Sequence, residues 1–322
     1  MYKLTKPLIF ISNTPSHVGS GTDLGVVDLP IQRERYTNFP KYEASSVKGS
    51  IKDAFYQLVK KEVMHPTFGT ITEQMVQDVF GKDNDAKHIS ALAFTDARIL
   101  LFPVKSFKSV FTWITCPKIL GRFKQEMKLC GIDISYSSDA KKVENTVPNG
   151  SGSLTKNQKL VLEDYLINNV RTEDECSRWA NWFSEHLFPP VSEHQYWRNK
   201  MKSDLAIVAD DVFEHFVTLS TDVITRVRID KTKGVVKDGA LFTEEYLPAE
   251  SILYSLAVAS PVLKPEKEPV AHETFRSETG VMRFFIEVLP KVIQIGGNET
   301  IGKGITYTHV IDNKGEKSSE EN

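Results

Sequence analysis

Apolar and polar residues recur along the chain with two different periods, which separate expected strands from expected helices. Residues 8–12 (LIFIS) are branched and aromatic, as is typical of an opening β-strand. From residue 45 the apolar spacing becomes that of one helix face, and this helix is expected to end before Pro66. Its apolar positions are Val47, Ile51, Ala54, Phe55, Leu58 and Val59.

Shorter segments follow, with turn residues between them. Thr70 and Glu73 have the spacing of a capping box, which predicts a short helix that ends near Gly81. Residues 88–104 are apolar and predict a strand pair or one bent strand. A further strand is expected at 107–113, and helices are expected at 117–129 and 281–289.

The second half of the chain contains a more polar region and a long alternating segment. Residues 137–158 are polar and contain glycine, which predicts a flexible excursion. Aromatic-rich segments at 160–215 predict a small helical insertion. Residues 222–247 alternate like two strands around residues 231–234 (KTKG) and predict a long β-hairpin. The charged residues 313–322 are expected to form a disordered tail.

Composition excludes several classes of protein. The 322 residues carry 40 Lys and Arg against 42 Asp and Glu, so a dedicated double-stranded DNA binder is not expected, although a local basic groove is compatible. Cys116, Cys130 and Cys176 form no CxxC pair, and their odd number is typical of thiols in a reducing cytosol. The N-terminal apolar run is too short for a signal peptide, and no run approaches 18 apolar residues. We therefore expect a cytoplasmic protein that does not contact a membrane.

Two glycine-rich segments imitate known nucleotide-binding motifs. GSGTDLG has its third glycine one place late, and Pro30 stands where the following helix would continue, so a dinucleotide fold is not expected. GNETIGKG matches a P-loop as far as Lys303, but Gly304 replaces the hydroxyl residue that would bind magnesium. Clustered glycines still allow backbone N–H groups to approach a phosphate, whereas the alternative is a mobile turn.

The start of the long helix, SSVKGSIK at residues 45–52, is a candidate anion site. Its free N–H groups and partial positive charge favour an anion, and Lys48 and Lys52 share one face. Simple capping beside a solvated lysine face is an equal alternative. Metal sites have little support, since the eight histidines show no zinc spacing and Asp210–Asp211 is typical of a helix start.

Asp28 is the residue that raises the sharpest chemical question. It ends the apolar run LGVV, and the charged run Arg33–Glu34–Arg35 follows after Pro30. A strand that ends in a turn would explain this pattern. A lone carboxylate held near a phosphate would explain it as well.

Together, several motifs resemble one family. HVGSG, LGVVDLPIQRERYTNFP, SSVKGSIK, FTDARILLFPV, ALFTEEYLP and IQIGGNETIGKG occur in the order seen in the fourth subunit of the type III-B CRISPR Cmr complex. That family comprises backbone RAMP proteins of the Cas-seven superfamily, and the resemblance runs from about residue 8 to 310. It implies an α+β fold with a ferredoxin-like, RRM-type palm, all within one domain over 1–322. A helical insertion or lid would span about 120–215, and a thumb hairpin would span about 222–247.

The resemblance also implies an activity and its partners. Copies would self-associate into a filament along the crRNA, together with other Cmr subunits. Each copy would cleave complementary single-stranded target RNA with Mg²⁺ or Mn²⁺ and leave a 2′,3′-cyclic phosphate. Asp28 would be the catalytic carboxylate and metal ligand, and the implied supporting catalytic residues are His17, Glu244 and Tyr246. The implied RNA-binding residues are Arg33, Arg35, Ser46, Lys48, Lys52, Gly296, Gly297, Gly302, Lys303 and Gly304.

Two other hypotheses stay open at this point. The chain could be a guide-binding scaffold that makes no cut, in which case Asp28 would be structural. It could also be a crRNA-processing RAMP endonuclease, although such enzymes do not resemble LGVVDLPIQRER. Asp28 favours the cleaving subunit because it is present within an otherwise matching motif.

Overall fold

The computed structural model describes residues 4–22, 25–82, 89–151, 154–229, 232, 234, 236–264 and 268–311. The strands are β1 (Leu4–Ser12), β2 (Lys41–Tyr42), β3 (Met64–His65), β4 (Gly69–Thr70), β5 (Leu92–Phe94), β6 (Ala97–Lys105), β7 (Phe111–Thr115), β8 (Thr146–Val147), β9 (Leu160–Leu162), β10 (Tyr165–Ile167), β11 (Arg171–Thr172), β12 (Leu205–Ile207), β13 (Asp222–Ile229), β14 (Val236–Tyr246), β15 (Ile252–Ala259), β16 (Val292–Gln294) and β17 (Ile305–Val310). The helices are α1 (Ala44–Lys60), α2 (Glu73–Phe80), α3 (Pro117–Leu129), α4 (Ala140–Val143), α5 (Asp174–His186), α6 (Gln195–Ser203), α7 (Asp210–Leu219) and α8 (Glu278–Val288). Single 3₁₀ turns lie at Ser192–His194, Glu273–Arg276 and Glu299–Ile301.

The centre of the molecule has ferredoxin-like topology. Strands β17, β1, β15 and β6 lie side by side in that order, and each neighbouring pair is antiparallel. Along the chain the order is β1, α1, β6, β15, α8 and β17, which is the βαββαβ unit of this fold. The predicted α+β palm is confirmed.

Helices α1 and α8 cover this sheet through aromatic side chains. Phe55 of α1 lies between Phe80 of α2 and Phe284 of α8, with ring centroids 4.9 and 5.6 Å away. Phe55 and Phe284 are fully buried. Burial of such rings contributes about 1.5–3 kcal/mol each, so this cluster fixes both helices on the palm.

The chain between β6 and β15 forms the insertion and the hairpin. Strands β7, β12, β8 and β11 extend the central sheet beyond β6, so the region predicted as a helical insertion also contributes strands. Short strands of two or three residues carry too little periodicity to be recognised in the sequence. The hairpin β13–β14 pairs Asp222 with Tyr246 and continues to Ile229 and Val236. Much of its turn, like the tail 313–322, lies outside the described residues.

Three local predictions need correction. Helix α2 is capped by Thr72, whose hydroxyl accepts from Met75 N at 3.3 Å, whereas Thr70 belongs to β4. The strand expected at 107–113 begins only at Phe111, because Ser106 N donates to Val110 O and closes a turn in which Val110 has φ 43°. The polar region 137–158 contains α4 and β8. Within the described ranges, every helix is too short or too polar to span a lipid bilayer.

Candidate active site at the base of the hairpin

Four loops and strands meet where the hairpin leaves the palm. Leu29 N donates to Thr243 O at 3.0 Å, and Glu245 N donates back to Leu29 O at the same distance. Gly297 N donates to His17 O at 2.8 Å. These backbone bonds hold the loop after β1, the loop that contains Asp28 and the glycine-rich loop against β14. The site is therefore assembled from segments more than 200 residues apart in sequence.

Asp28 lies at the exposed edge of this junction. Its Oδ2 accepts from the backbone N–H of Thr243 at 2.7 Å and from the Thr243 hydroxyl at 2.9 Å. The backbone donor first, and then the hydroxyl, hold the pKa of Asp28 below its usual range, so the carboxylate is ionised at neutral pH. The Asp28 backbone N–H donates to the Thr243 hydroxyl oxygen at 2.9 Å, which closes the contact.

His17 faces the next residue along β14. Its Nδ1 lies 2.7 Å from the carbonyl oxygen of Glu245, which only accepts, so Nδ1 carries a proton. Nε2 then points to Glu244 Oε1 at 3.6 Å. The His17 ring also lies against Tyr246, with centroids 5.6 Å apart. An imidazole and a carboxylate in this arrangement can exchange a proton at Nε2.

Glu244 is the centre of a buried polar network. Its Oε2 accepts from Arg226 Nε and from the Tyr246 hydroxyl, both at 2.5 Å, and its Oε1 accepts from Asn298 Nδ2 at 2.6 Å. Burial by itself would raise the pKa of Glu244, but donation from Tyr246, Asn298 and Arg226, with the nearby His17, holds it below its usual range. Burial, followed by the bond to Glu244, raises the pKa of Tyr246, so its hydroxyl stays protonated.

The other face of β14 carries a second buried carboxylate, because successive side chains of a strand point to opposite sides. Glu245 accepts from Arg33 Nη2 at 2.5 Å, from Thr221 Oγ1 at 2.7 Å and from Ile31 N at 3.0 Å. Arg33 also donates to the carbonyls of Asn38 and Val217, both at 2.9 Å. These contacts use Arg33 inside the protein, and its predicted contact with RNA stays a prediction.

The remaining RNA-binding candidates lie around this junction. Arg35 is exposed in the loop before α1. Ser46, Lys48 and Lys52 lie in the first turns of α1, where Gln32 Nε2 approaches Ser46 Oγ at 3.5 Å and Lys52 Nζ lies 5.8 Å from the Tyr56 ring centroid. The first N–H of α1 is occupied by Asp96, which accepts from Ala44 N at 2.9 Å. These contacts of Ser46 and Lys52 lie outside the cluster of His17 and Glu244.

The glycine-rich loop lies directly under His17. Gly296 has φ 83°, and a Cβ there would be 2.3 Å from His17 O, so only glycine fits. A Cβ at Gly304 would lie 2.1 Å from Ile295 O. Gly297 and Gly302 are exposed. Lys303 Nζ lies 4.8 Å from the Tyr246 ring centroid, which places one cation of this loop beside the candidate site.

Comparisons with known proteins identify the family of the whole chain. A model of the RAMP superfamily matches residues 10–307. The chain is 34% identical over 307 residues to the CRISPR system Cmr endoribonuclease Cmr4 of Pyrococcus furiosus, across 94% of this chain and 95% of that protein. The chain belongs to the RAMP superfamily, as a homologue of Cmr4. The resemblance seen in the sequence motifs is confirmed.

Solved RAMP structures show the same fold. The crystal structure of oligomeric Cmr4 from Pyrococcus furiosus superposes with a TM-score of 0.67 at 27% identity, covering 96% of this chain and 98% of that one. A chain in the cryo-EM structure of the type III-B Cmr-beta bound to cognate target RNA gives a TM-score of 0.69 with the same coverage. At 20% identity, this second likeness concerns the fold alone.

Three residues of this RAMP protein's site were missed in the sequence. Thr243, Arg226 and Asn298 each bond a candidate catalytic side chain. The i, i+2 spacing of Glu244 and Tyr246 predicts one strand face, but no sequence signal identifies the partners that lie opposite. Asn298 lies in a segment that was interpreted only as a glycine-rich loop, so its side chain was not considered. It adopts the left-handed conformation, with φ 67°, in which Asn is enriched.

The donor set bears on the expected metal. No group of three or more His, Cys, Asp or Glu side chains in the described ranges could hold a metal ion. Asp28 is exposed, and both donors of Thr243 go to its Oδ2. Mg²⁺ is typically bound by one or two carboxylates together with substrate phosphates and water. Asp28 therefore fits a metal that is completed by RNA, and the protein alone offers no closed site among these residues.

Proposed function

We propose that this chain is the crRNA-binding backbone subunit of a type III-B CRISPR effector complex and cleaves target RNA at the base of its hairpin. The observation that carries the proposal is that Asp28 and His17, from two loops, contact the consecutive β14 residues Thr243 and Glu244. Glu244 in turn accepts from the Tyr246 hydroxyl on the same strand. Its homologue from Pyrococcus furiosus is named an endoribonuclease, which supports the same activity here. We propose the cytoplasm as its location, since the crRNA and the target RNA would meet there.

The arrangement suits attack by the target's own 2′-hydroxyl. The 2′-oxygen bonds to the adjacent phosphorus as the bond from phosphorus to the 5′-oxygen breaks, leaving a 2′,3′-cyclic phosphate and a 5′-hydroxyl. Because His17 Nδ1 donates to the Glu245 carbonyl oxygen, His17 Nε2 can take the proton of the 2′-hydroxyl and pass it to the leaving 5′-oxygen, while Glu244 stabilises the imidazolium formed in between. A divalent metal held by Asp28 would neutralise phosphate charge. Alignment of the phosphate beside these groups lowers the barrier further.

The hairpin supports a role in spacing the cuts. Val223, Val227 and Leu241 are each at least half exposed along a ribbon that leaves the palm. Exposed apolar side chains on a projecting element mark a contact surface. We propose that they press against the guide–target bases and interrupt pairing beside each site. Self-association along the crRNA follows, since regular cuts require one copy per interruption, and the crystal structure of the Pyrococcus furiosus homologue is oligomeric.

The test is cleavage of a labelled complementary RNA by the reconstituted complex with Mg²⁺ or Mn²⁺. Wild type should give evenly spaced products, and Asp28→Ala should bind target equally without cutting. Asp164→Ala removes an exposed carboxylate between β9 and β10 and is the matched control. Equal cutting by wild type and Asp28→Ala would assign the chemistry to another subunit and leave this chain as a non-catalytic scaffold. Loss of cutting after chelation, restored by Mg²⁺ or Mn²⁺, would establish the metal.

A further inference from the structure

Arg226 connects the first strand of the hairpin to two candidate catalytic side chains on the second. In the register of the ribbon, Arg226 lies opposite Phe242 and diagonal to Glu244, on the face that also carries Tyr246. Its Nε donates to Glu244 Oε2 at 2.5 Å, and its Nη2 donates to the Tyr246 hydroxyl oxygen. One planar guanidinium therefore engages both groups, a geometry that lysine cannot reproduce.

This contact fixes the orientation of the Glu244 carboxylate, so that each of its two oxygens faces a different set of partners. Oε2 is held by Arg226 and the Tyr246 hydroxyl, while Oε1 is directed to Asn298 and to His17 Nε2. With Oε2 fixed, the carboxylate cannot rotate away from His17 without breaking two short bonds. Asn298 supports the same orientation from the glycine-rich loop.

We propose that Arg226 is a positioning residue for RNA cleavage, which keeps Glu244 directed at His17 and Tyr246 docked on Glu244. The inference rests on the proposed function and adds to it a residue that none of the sequence motifs contained. Arg226 acts through Glu244 and Tyr246, and the strand that carries it belongs to the element expected to contact RNA. Its side chain is 26% exposed, so the guanidinium is partly withdrawn from solvent in this contact.

Loss of Arg226 should change the pKa of Glu244 and so the pH dependence of cleavage, an effect that loss of a purely structural arginine would not have. The charged and titratable groups that face Glu244 are Arg226 and Tyr246 on the hairpin and His17 on the loop after β1. Asn298 and Lys303 contribute from the glycine-rich loop. Without Arg226, Glu244 loses a cation and a donor, so its pKa rises and it is neutralised at a higher pH. As the pH is lowered, the cleavage rate of the variant should therefore begin to fall at a higher pH than that of wild type.

The experiment compares Arg226→Met and Arg226→Lys with wild type in the complete complex. Single-turnover cleavage of labelled target is measured across pH, and target binding is measured in parallel. Arg226→Met should cut about a hundredfold more slowly, because a small misplacement of catalytic groups has costs of this order. Target binding should be unchanged, and the acid limb should shift to higher pH. Arg226→Lys should recover part of the rate, and added guanidinium ion should partly rescue Arg226→Met.

Matched controls separate the alternatives. Arg283 is half exposed and pairs with Glu287 one turn further along α8, so Arg283→Met should leave cutting unchanged. A parallel loss of binding and cutting in Arg226→Met would make Arg226 an RNA contact and overturn the inference. Wild-type rate and pH profile in Arg226→Met would overturn it as well. If Arg226→Met fails to assemble, a wild-type cutting rate in the assembled Arg226→Lys would overturn the inference, because lysine cannot hold both groups. Active Asp28→Ala would instead overturn the proposed function.

Discussion

Asp28 and Thr243 are 215 residues apart in sequence and are joined by three hydrogen bonds at the edge of the hairpin. The backbone N–H and the hydroxyl of Thr243 both donate to one carboxylate oxygen, and the hydroxyl oxygen accepts from the Asp28 backbone. The proposed metal ligand therefore depends for its position on the second strand of the hairpin. Any movement of that strand relative to the palm moves the carboxylate with it.

Replacement of Thr243 by valine should slow target cleavage by roughly tenfold while target binding is retained. Valine keeps the backbone donor but removes the hydroxyl, which is the second cause of the lowered pKa of Asp28. The pKa of Asp28 should accordingly move toward its usual value, and the rate should fall at a higher pH than in wild type. Thr225 lies directly opposite Thr243 and is exposed, so Thr225→Val is the control. Equal rates for Thr243→Val and wild type would show that the backbone bond suffices.

The Arg33–Glu245 pair should contribute to stability more than to RNA binding. Both groups are largely buried, with side chains 15% and 6% exposed, so Arg33→Met would leave a buried carboxylate without its cation. We expect the free energy of unfolding to fall by about 3 kcal/mol, measured by denaturant titration of the isolated chain. Arg35→Met, on an exposed neighbour, should change it by less than about 0.5 kcal/mol. Unaltered stability with weakened crRNA binding in Arg33→Met would instead support the phosphate contact expected from the sequence.

Gly296 should tolerate no side chain. Alanine there would adopt φ 83° with its Cβ 2.3 Å from His17 O, so it must push the His17 loop away. The free energy of unfolding should fall by more than about 2 kcal/mol, and His17 should be displaced from Glu244. Gly49 lies exposed in α1 with no atom near its Cβ position, and Gly49→Ala should raise stability by about 0.5–1 kcal/mol. Equal melting temperatures for the two alanine variants would contradict this prediction.

His309 should make stability depend on pH. Burial first, and then the nearby His194 and His186, lower the pKa of His309 to about 4. The unfolded chain binds a proton at His309 more tightly than the folded chain does. The contribution of neutral His309 to the free energy of unfolding is therefore complete above about pH 6.5 and is lost as the pH falls toward 4. The loss amounts to roughly 3 kcal/mol at most.

The difference in the free energy of unfolding between wild type and His309→Gln isolates the contribution of His309. Burial raises the pKa of Glu250 to about 7, so Glu250 favours the folded state at low pH and acts in the opposite direction over part of the same range. Denaturant titrations of both proteins between pH 4 and 7.5 share that effect, and it cancels in the comparison. The free energy of unfolding of wild type relative to that of His309→Gln should decrease as the pH falls from about 6.5 toward 4. A constant gap would show that His309 is protonated alike in the folded and unfolded chains.

The elements that could be predicted from the sequence alone are those whose apolar pattern repeats over several turns or several residues. Helix α3 was predicted with the observed bounds, and α1 was predicted to within a residue at its start. A long amphipathic period is redundant, so a few exceptions do not obscure it. Strands of two or three residues, such as β8 and β11, contain no such redundancy, and they form because the central sheet offers them a neighbour.

At the site, the motifs and the candidate carboxylates were recognisable in the sequence, but their partners depend on how distant segments pack together. Asp28 depends on Thr243, Glu244 on Arg226 and Asn298, and Arg33 on Glu245. Every one of these contacts except Glu244 to Arg226 joins residues more than 50 positions apart, and that one crosses a hairpin. Sequence periodicity reports which face of an element a residue occupies. Which other element covers that face follows from the packing of the whole chain, because burial favours apolar contact without specifying the partner.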